Sequence, residues 1–475
     1  MRVLFAVYPS RAHLYPVAPT AWALQSAGHE VRLATFAGFA GDIAAAGLTP
    51  VPLGDAGIPE VRLAGDTPPP RSAEEVERAA DELGLAGPER EHWYVFHQYL
   101  TAAAGDYVRL DRAEFADLVQ FAQDWKPDLV IWDGTMPGGA IAARVAGAAH
   151  ARFVFGLDYV AWSMRKLGGT NANPLAELLA PAAARYGVTI DDELLLGQRT
   201  IDPTPAPMRL PIEVAGHVPV RWIPYSGGSN FEAWLHRRPE PPRQPRIAFT
   251  LGESTRRFTR GDWDRTPRIM EALHGLDVEV VATLNATQLD GLQPPPNVRT
   301  VEWVPLTHLL PTCSALIHHG GMGTFSAASA YSVPQLVCDT EESNLIRKVV
   351  VPASEVAEVA AVGEIGMALG FDEDAPMPEA PGVRWTLPAK KLEATPTADY
   401  VIGFGAGARL NHRESSPEQM RKQIEQVVGD PAFRDGAARL HEAWASNPTP
   451  VRIVPALEDL AARSGLAARK ITRAG

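Results

Sequence analysis

Two groups of residues in this chain have types and spacings that could do chemistry. In the first, His318-His319-Gly320-Gly321-Met322-Gly323-Thr324 follows the apolar run Ala315-Leu316-Ile317 and precedes Phe325–Ala330. The run reads as the end of a buried strand and the stretch beyond the glycines as the first turns of a helix. A strand that passes through a glycine-rich turn into a helix leaves bare backbone N–H groups at the positive end of a helix dipole. That is a physical site for a phosphate or diphosphate. Gly320, Gly321 and Gly323 permit close approach, His319 adds a side-chain donor, and Thr324 adds a hydroxyl. A plain glycine-rich connection in an α/β fold fits the same residues.

The second group is His13 with Asp133. In open parallel sheets, ligands bind outside the carboxyl ends of the strands. His13 falls in the turn after the strand Val3–Val7, and Asp133 closes the strand Asp128–Trp132. An imidazole held by a carboxylate is a general base whose tautomer is fixed and whose protonated form is stabilised. An isolated loop histidine is also commonly no more than a solvated side chain. Trp303, after the strand Val298–Val301, fits either a cover for a flat nucleobase or a core tryptophan near a loop. Glu341-Glu342-Ser343-Asn344 offers acceptors to sugar hydroxyls, or is a solvated charge pair. Trp93, Tyr94, Phe96, His97 and Tyr99 crowd together and suit either a core or an apolar acceptor pocket.

The elements that must position these residues repeat one grammar twice. In the first half, strand Val3–Val7, helix Val17–Ala27 ended by Gly28, and strand Glu30–Thr35 make a β-α-β unit. Its first turn, Tyr8 to Pro16, lacks the G-x-G-x-x-G fingerprint of a nicotinamide or flavin site. Residues 72–123 read as largely helical. From Pro203 to Pro245 prolines recur, which places a domain boundary there. The second half restarts with strand Arg246–Thr250, a turn at 251–255, and helix Trp263–Leu273. Strands Val278–Thr283 and Val298–Val301, the glycine loop, and strand Pro334–Val337 follow. Such alternation means parallel sheets covered by helices on both faces. The expected architecture is two Rossmann-like parallel-sheet domains facing across a cleft, residues 1–222 and 223–475, with the last helix able to pack back on the first. Residues 349–398 break the pattern with prolines and acids and read as an inserted excursion. Gly363–Leu369 faintly echoes Gly403–Leu410. Ser416-Pro417 starts a helix that runs through Val428, and Pro450–Arg463 forms the last one.

Composition removes several function classes. A chain of 475 residues is too long for one ordinary core. The net charge of −12 and the lack of a long basic run argue against nucleic acid as a partner. The two cysteines, Cys313 and Cys338, read as small buried residues rather than a disulfide or metal pair. With no basic leader and no apolar stretch of spanning length, a soluble cytoplasmic protein is expected.

The residues also carry a resemblance. The chain resembles the nucleotide-sugar-dependent GT-B-fold glycosyltransferases of family 1 that act in bacterial natural-product pathways, macrolide and anthracycline deoxysugar transferases above all. In the first half the matching stretches are His13-Leu14-Tyr15-Pro16, Ala21-Trp22-Ala23-Leu24, Ala27-Gly28-His29-Glu30-Val31, Trp132-Asp133, Gly197 to Pro203, and Pro224-Tyr225. In the second they are Trp234-Leu235, Thr250-Leu251-Gly252, Asn297 to Val301, Leu309 to Cys313, the His-His-Gly-Gly loop, and Val333-Pro334-Gln335. The resemblance implies an inverting single displacement. His13 would take the proton of the acceptor hydroxyl, and Asp133 would orient His13. The donor, a dTDP-activated deoxysugar, would meet Ser254, Trp303, Val304, His319, Gly320, Gly321, Gly323, Thr324, Glu342 and Ser343. The acceptor, an aromatic or polyketide aglycone, would meet Trp93, His97 and Tyr99. No metal or other cofactor is implied. Some relatives work with a cytochrome-P450-like auxiliary protein, for which residues 72–123 would be the contact. Oligomeric state is left open, with a homodimer as the expectation. Three positions depart from the family pattern: Ala327 replaces a ribose-binding glutamate, Ser332 a glycine, and Glu341-Glu342-Ser343 the usual acidic motif. A nucleotide-sugar 2-epimerase, a non-catalytic nucleotide-sugar-binding subunit and an antibiotic-inactivating UDP-hexose transferase are the competing readings.

Overall fold

The apolar runs and the helical stretches between them build two α/β units in the computed structural model. It describes residues 1–54, 73–100, 112–170, 172–230, 232–236, 244–252, 265–289, 291–340, 346–352, 382–388 and 393–474. One unit comprises Met1–Arg221 with Pro448–Gly475, and the other Trp222–Asn447.

The first unit is built on seven strands, all paired in parallel: β1 Arg2–Ala6, β2 Glu30–Phe36, β3 Pro50–Leu53, β4 Leu129–Asp133, β5 Ala149–Phe153, β6 Arg199–Asp202 and β7 His217–Pro219. Their order is β3-β2-β1-β4-β5-β6-β7. Val3, Leu4, Phe5 and Ala6, like Leu129 to Trp132, are buried without alternation, as strands covered on both faces must be. The order reverses direction between β1 and β4, where Ala6 pairs with Trp132. A crevice opens outside the strand ends at such a reversal.

The second unit contains β8 Arg246–Thr250, β9 Glu279–Thr283, β10 Val298–Val301, β11 Ala315–His318, β12 Gln335–Cys338 and β15 Gly407–Leu410. They form a parallel sheet in the order β10-β9-β8-β11-β12-β15. Here the reversal lies between β8 and β11, and Thr250 pairs with His318. A separate antiparallel ribbon, β13 Ile346–Pro352 with β14 Gly382–Pro388, occupies part of the stretch read as an excursion. The helix Ala394–Gly403 starts inside that stretch, so its expected end at 398 is corrected to no later than 393. Residues 353–381, including the Gly363–Leu369 echo, lie outside the described residues.

Several elements differ from the sequence reading. The first helix begins at Arg11, not Val17, and holds Pro16 and Pro19 inside it. Ser10 starts it, and its carbonyl accepts from the N–H groups of His13 and Leu14 at 3.0 and 2.9 Å. His13 therefore stands in the first helical turn rather than in a loop. β7 lies in the proline-rich stretch read as linker, because a three-residue edge strand carries almost no periodic signal. Cys313 is half-buried in the turn before β11, while Cys338 is buried in β12. The helix Pro417–Gly429 has the cap its Ser-Pro-Glu-Gln start predicts: Gln419 N–H donates to Ser416 Oγ at 3.2 Å and Ser416 N–H to Gln419 Oε1 at 2.7 Å. The final helix, Pro450–Ala474, packs on the Arg11–Ser26 helix and against β4 and β5, and its Ile453, Val454, Leu457 and Leu460 are buried. No helix of the described residues is long and apolar enough to cross a membrane.

Two histidines are buried in the sheets, His150 in β5 and His318 in β11. Burial pushes His150 down to about 4, with the Arg144 charge adding to the effect, and His318 down to about 3. Both are neutral in the fold and bind a proton only on unfolding, where the ordinary value is about 6.5. Stability is complete above about 6.5 and falls as the pH drops through the window towards 4 and 3. Each group contributes a slope of about 1.4 kcal/mol per pH unit there. We expect the thermal midpoint to decline between pH 7 and pH 5 by calorimetry, and His150→Asn, which cannot take up that proton, to show a shallower decline.

Candidate active site

His13 and Asp133 meet at the reversal point of the first sheet. Asp133 ends β4, and its side chain is 0% exposed. Its Oδ2 lies 2.7 Å from His13 Nδ1 and accepts the Tyr8 N–H at 3.3 Å. Its Oδ1 accepts the Thr135 N–H at 2.8 Å and the Thr135 hydroxyl at 2.7 Å. A buried carboxylate needs such donors to offset lost hydration. An ionised acid can only accept, so its partner nitrogen, Nδ1, carries the proton and Nε2 keeps a lone pair. The His13 ring packs against Tyr8 and Phe155, each with its ring centroid 4.8 Å away. Its side chain is 22% exposed, so solvent or substrate can reach it.

Tyr99 fastens the same turn from outside. Its hydroxyl donates to the carbonyl of Gly134, whose N–H donates to Phe153 O at 2.9 Å. Burial raises the Tyr99 phenol above its ordinary value, so it stays a donor. Thr135, Tyr8 and Phe155 were missed by sequence reasoning. Only Thr135 had a local signal, a hydroxyl two residues after an aspartate, the spacing at which short side chains close turns.

The glycine loop stands at the reversal point of the second sheet. Gly321 caps the helix Met322–Ala330, so Gly323 and Thr324 lie in its first turn. A glycine cap brings no side chain to the first N–H groups, which have no partners inside the helix. His319 is nearly buried, and its imidazole sits between two glycine backbones. A Cβ on Gly252 would lie 2.3 Å from its Cε1, and one on Gly321 2.5 Å from its Nε2. Both distances forbid a side chain without displacing the ring. The result is a cluster of N–H donors and one imidazole around the start of a helix, chemistry that suits an anion.

The other sequence-derived positions divide. Trp303 is 42% exposed after β10, as a stacking platform requires, while Val304 is buried in an apolar cluster of the second unit. Ser254, Glu342 and Ser343 lie outside the described residues. Trp93 is 0% exposed and donates from Nε1 to Val76 O at 3.0 Å. His97 is also buried, edge-on to Trp93 at 4.4 Å. Both are buried side chains of the helix Pro88–Tyr99, and Trp93 belongs to the first unit's core. Tyr99, in the same helix, joins the dyad's support. Ser332 has φ +53°, the left-handed region in which a glycine is unstrained, which suits the glycine that the resemblance implies at this position. Among the described residues no group of three or more His, Cys, Asp or Glu side chains could hold a metal ion.

Two successive stretches of the chain match the two domains of one known family. Residues 22–252 match the N-terminal domain of the erythromycin biosynthesis protein CIII-like family, and residues 267–385 and 379–460 match its C-terminal domain. The chain is 36% identical to an aclacinomycin-T 2-deoxy-L-fucose transferase of Streptomyces galilaeus, covering 97% of this chain and 96% of that protein. It is also 36% identical to a 10-deoxymethynolide desosaminyltransferase of Streptomyces venezuelae, with 98% of each covered. Among solved structures, glycosyltransferase VinC in complex with dTDP superposes with a TM-score of 0.70 at 28% identity, covering 98% of this chain and 100% of that one. These transferases lend no support to the epimerase or the antibiotic-inactivating reading. The chain belongs to the erythromycin biosynthesis protein CIII-like family, and it is a GT-B nucleotide-sugar-dependent glycosyltransferase.

Proposed function

We propose that the protein moves a deoxysugar from a dTDP-sugar to an aromatic or polyketide aglycone with inversion at the anomeric carbon. The observation that carries the reading is the 2.7 Å contact that fixes His13 against a buried Asp133 in one unit, matched by the His319 cradle in the other. His13 Nε2 takes the proton from the acceptor hydroxyl as its oxygen bonds to the anomeric carbon. The bond from that carbon to the diphosphate breaks on the opposite face, and its electron pair leaves with dTDP. Charge grows on the leaving diphosphate, so fixed N–H donors and His319 stabilise the transition state more than the ground state. Trp303 covers the base. The names of the relatives support the sugar and aglycone classes, and the dTDP in the VinC structure supports the nucleotide.

Calorimetric titration with dTDP, UDP and GDP, in the presence of EDTA, tests this reading. We expect dTDP to bind most tightly and without metal. Preference for UDP, or loss of binding in EDTA, would count against it. His319→Ala should weaken dTDP binding itself. Adding a cytochrome-P450-like auxiliary protein in the transfer assay, with sizing of the complex, tests the partner and homodimer expectations together.

A further inference from the structure

Gly320 is held from three directions, and none of the groups that hold it has been given a role above. Its φ of +86° aims its N–H and carbonyl away from the strand path, and a Cβ there would lie 2.5 Å from Ala394 Cα. Its N–H donates to His318 Nδ1 at 3.2 Å. Its carbonyl accepts the Thr397 hydroxyl at 2.9 Å. His318 and Thr397 are both 0% exposed. A threonine inside a helix usually returns its hydroxyl to a carbonyl of its own preceding turn. Thr397, in the helix Ala394–Gly403, instead spends it on a residue 77 positions earlier. Burying an imidazole and a hydroxyl costs free energy unless each gains a bond, and both gain one on Gly320, His318 on the N–H of the 319–320 peptide group and Thr397 on the carbonyl of the 320–321 group. Those two peptide groups join Gly320 to His319 and to Gly321, whose positions decide where the cradle's donors point.

We propose that His318 and Thr397 are positioning residues for the diphosphate cradle, clamping the peptide groups on either side of Gly320 so that His319 and the Gly321–Thr324 amides are aimed before the donor arrives. The inference rests on the dTDP-sugar reading for the identity of the ligand, and on geometry alone for the clamp. Preorganised donors bind a charged group without the cost of ordering them at the moment of binding.

Two substitution pairs separate positioning from mere stability. Thr397→Val keeps shape and removes the donor, while Thr397→Ser keeps the hydroxyl. His318→Leu removes the acceptor, while His318→Asn retains one near the Nδ1 position. In calorimetry we expect Thr397→Val and His318→Leu to weaken dTDP binding about tenfold or more, and the Ser and Asn variants to stay within about threefold of the parent. Because the clamp sets the phosphate cradle, dTDP and UDP should weaken by the same factor. Hydrogen exchange of residues 318–324, measured without nucleotide, should quicken in Thr397→Val and not in Thr397→Ser. Unchanged dTDP affinity in Thr397→Val, or equal losses in the Val and Ser variants, would overturn the clamp. If the parent binds no nucleoside diphosphate while exchange still quickens in Thr397→Val, the clamp stands and the donor reading falls.

Discussion

His13→Ala should lower kcat for sugar transfer by about 10²–10⁴-fold, the range spanned by a lost general base, while dTDP affinity stays within about twofold. The argument is local. Nδ1 is committed to a carboxylate with no exposed surface, so only Nε2 is available to an acceptor proton. Asp133→Asn extends the test. An amide at that position can donate to Nδ1, which moves the imidazole proton to Nε2 and removes the lone pair the reaction needs. Its loss should therefore approach that of His13→Ala although the ring stays in place. Single-turnover rates with saturating donor report both effects. Near-normal transfer by the His13 variant would remove the dyad from the mechanism.

The second large effect comes from a methyl group. In Gly321→Ala the new Cβ falls 2.5 Å from His319 Nε2, and the ring must swing out of the slot it shares with Gly252. A side chain can swing at small cost to the fold, so the thermal midpoint should move little. The displaced imidazole no longer meets the diphosphate, and dTDP binding should weaken by about 10²-fold, on the order of the loss of one charge-assisted contact plus a blocked cradle. Calorimetry and a melting curve on the same sample decide it. A fall in affinity that merely follows a fall in midpoint would show that the fold, not the cradle, was damaged.

Much of the site was legible because chemistry and local backbone coincide there. The glycine loop was visible as a strand, a glycine-rich turn and a helix, all within the sixteen residues from Ala315 to Ala330. His13 and Asp133 could be paired because each follows the carboxyl end of a strand in the same parallel pattern. What was missed depends on distance along the chain. Thr397 reaches Gly320 from 77 residues away, and no spacing rule reports that. Trp93 illustrates a different limit: its aromatic cluster suited a core or a pocket, and the sequence does not say which side of a helix pair faces inward, whereas the structure buries Trp93 completely. The early start of the first helix was hidden by Pro16 and Pro19, which local propensity treats as breakers and tertiary packing overrode.

The final helix bears on recombination between relatives. Residues 448–475 belong to the unit formed by 1–221, and Arg221 N–H meets the Pro448 carbonyl at 2.6 Å where the chain leaves and re-enters it. Ile453, Val454, Leu457 and Leu460 are buried, each contributing about 1.5–3 kcal/mol, and Glu458 pairs with His29 at 2.9 Å. A chimera cut once, near residue 222, would give one parent's amino-terminal half the other parent's closing helix. A chimera that exchanges 222–447 alone keeps that helix with the surface it evolved against, and donor specificity could be traded without unsettling the half that holds His13.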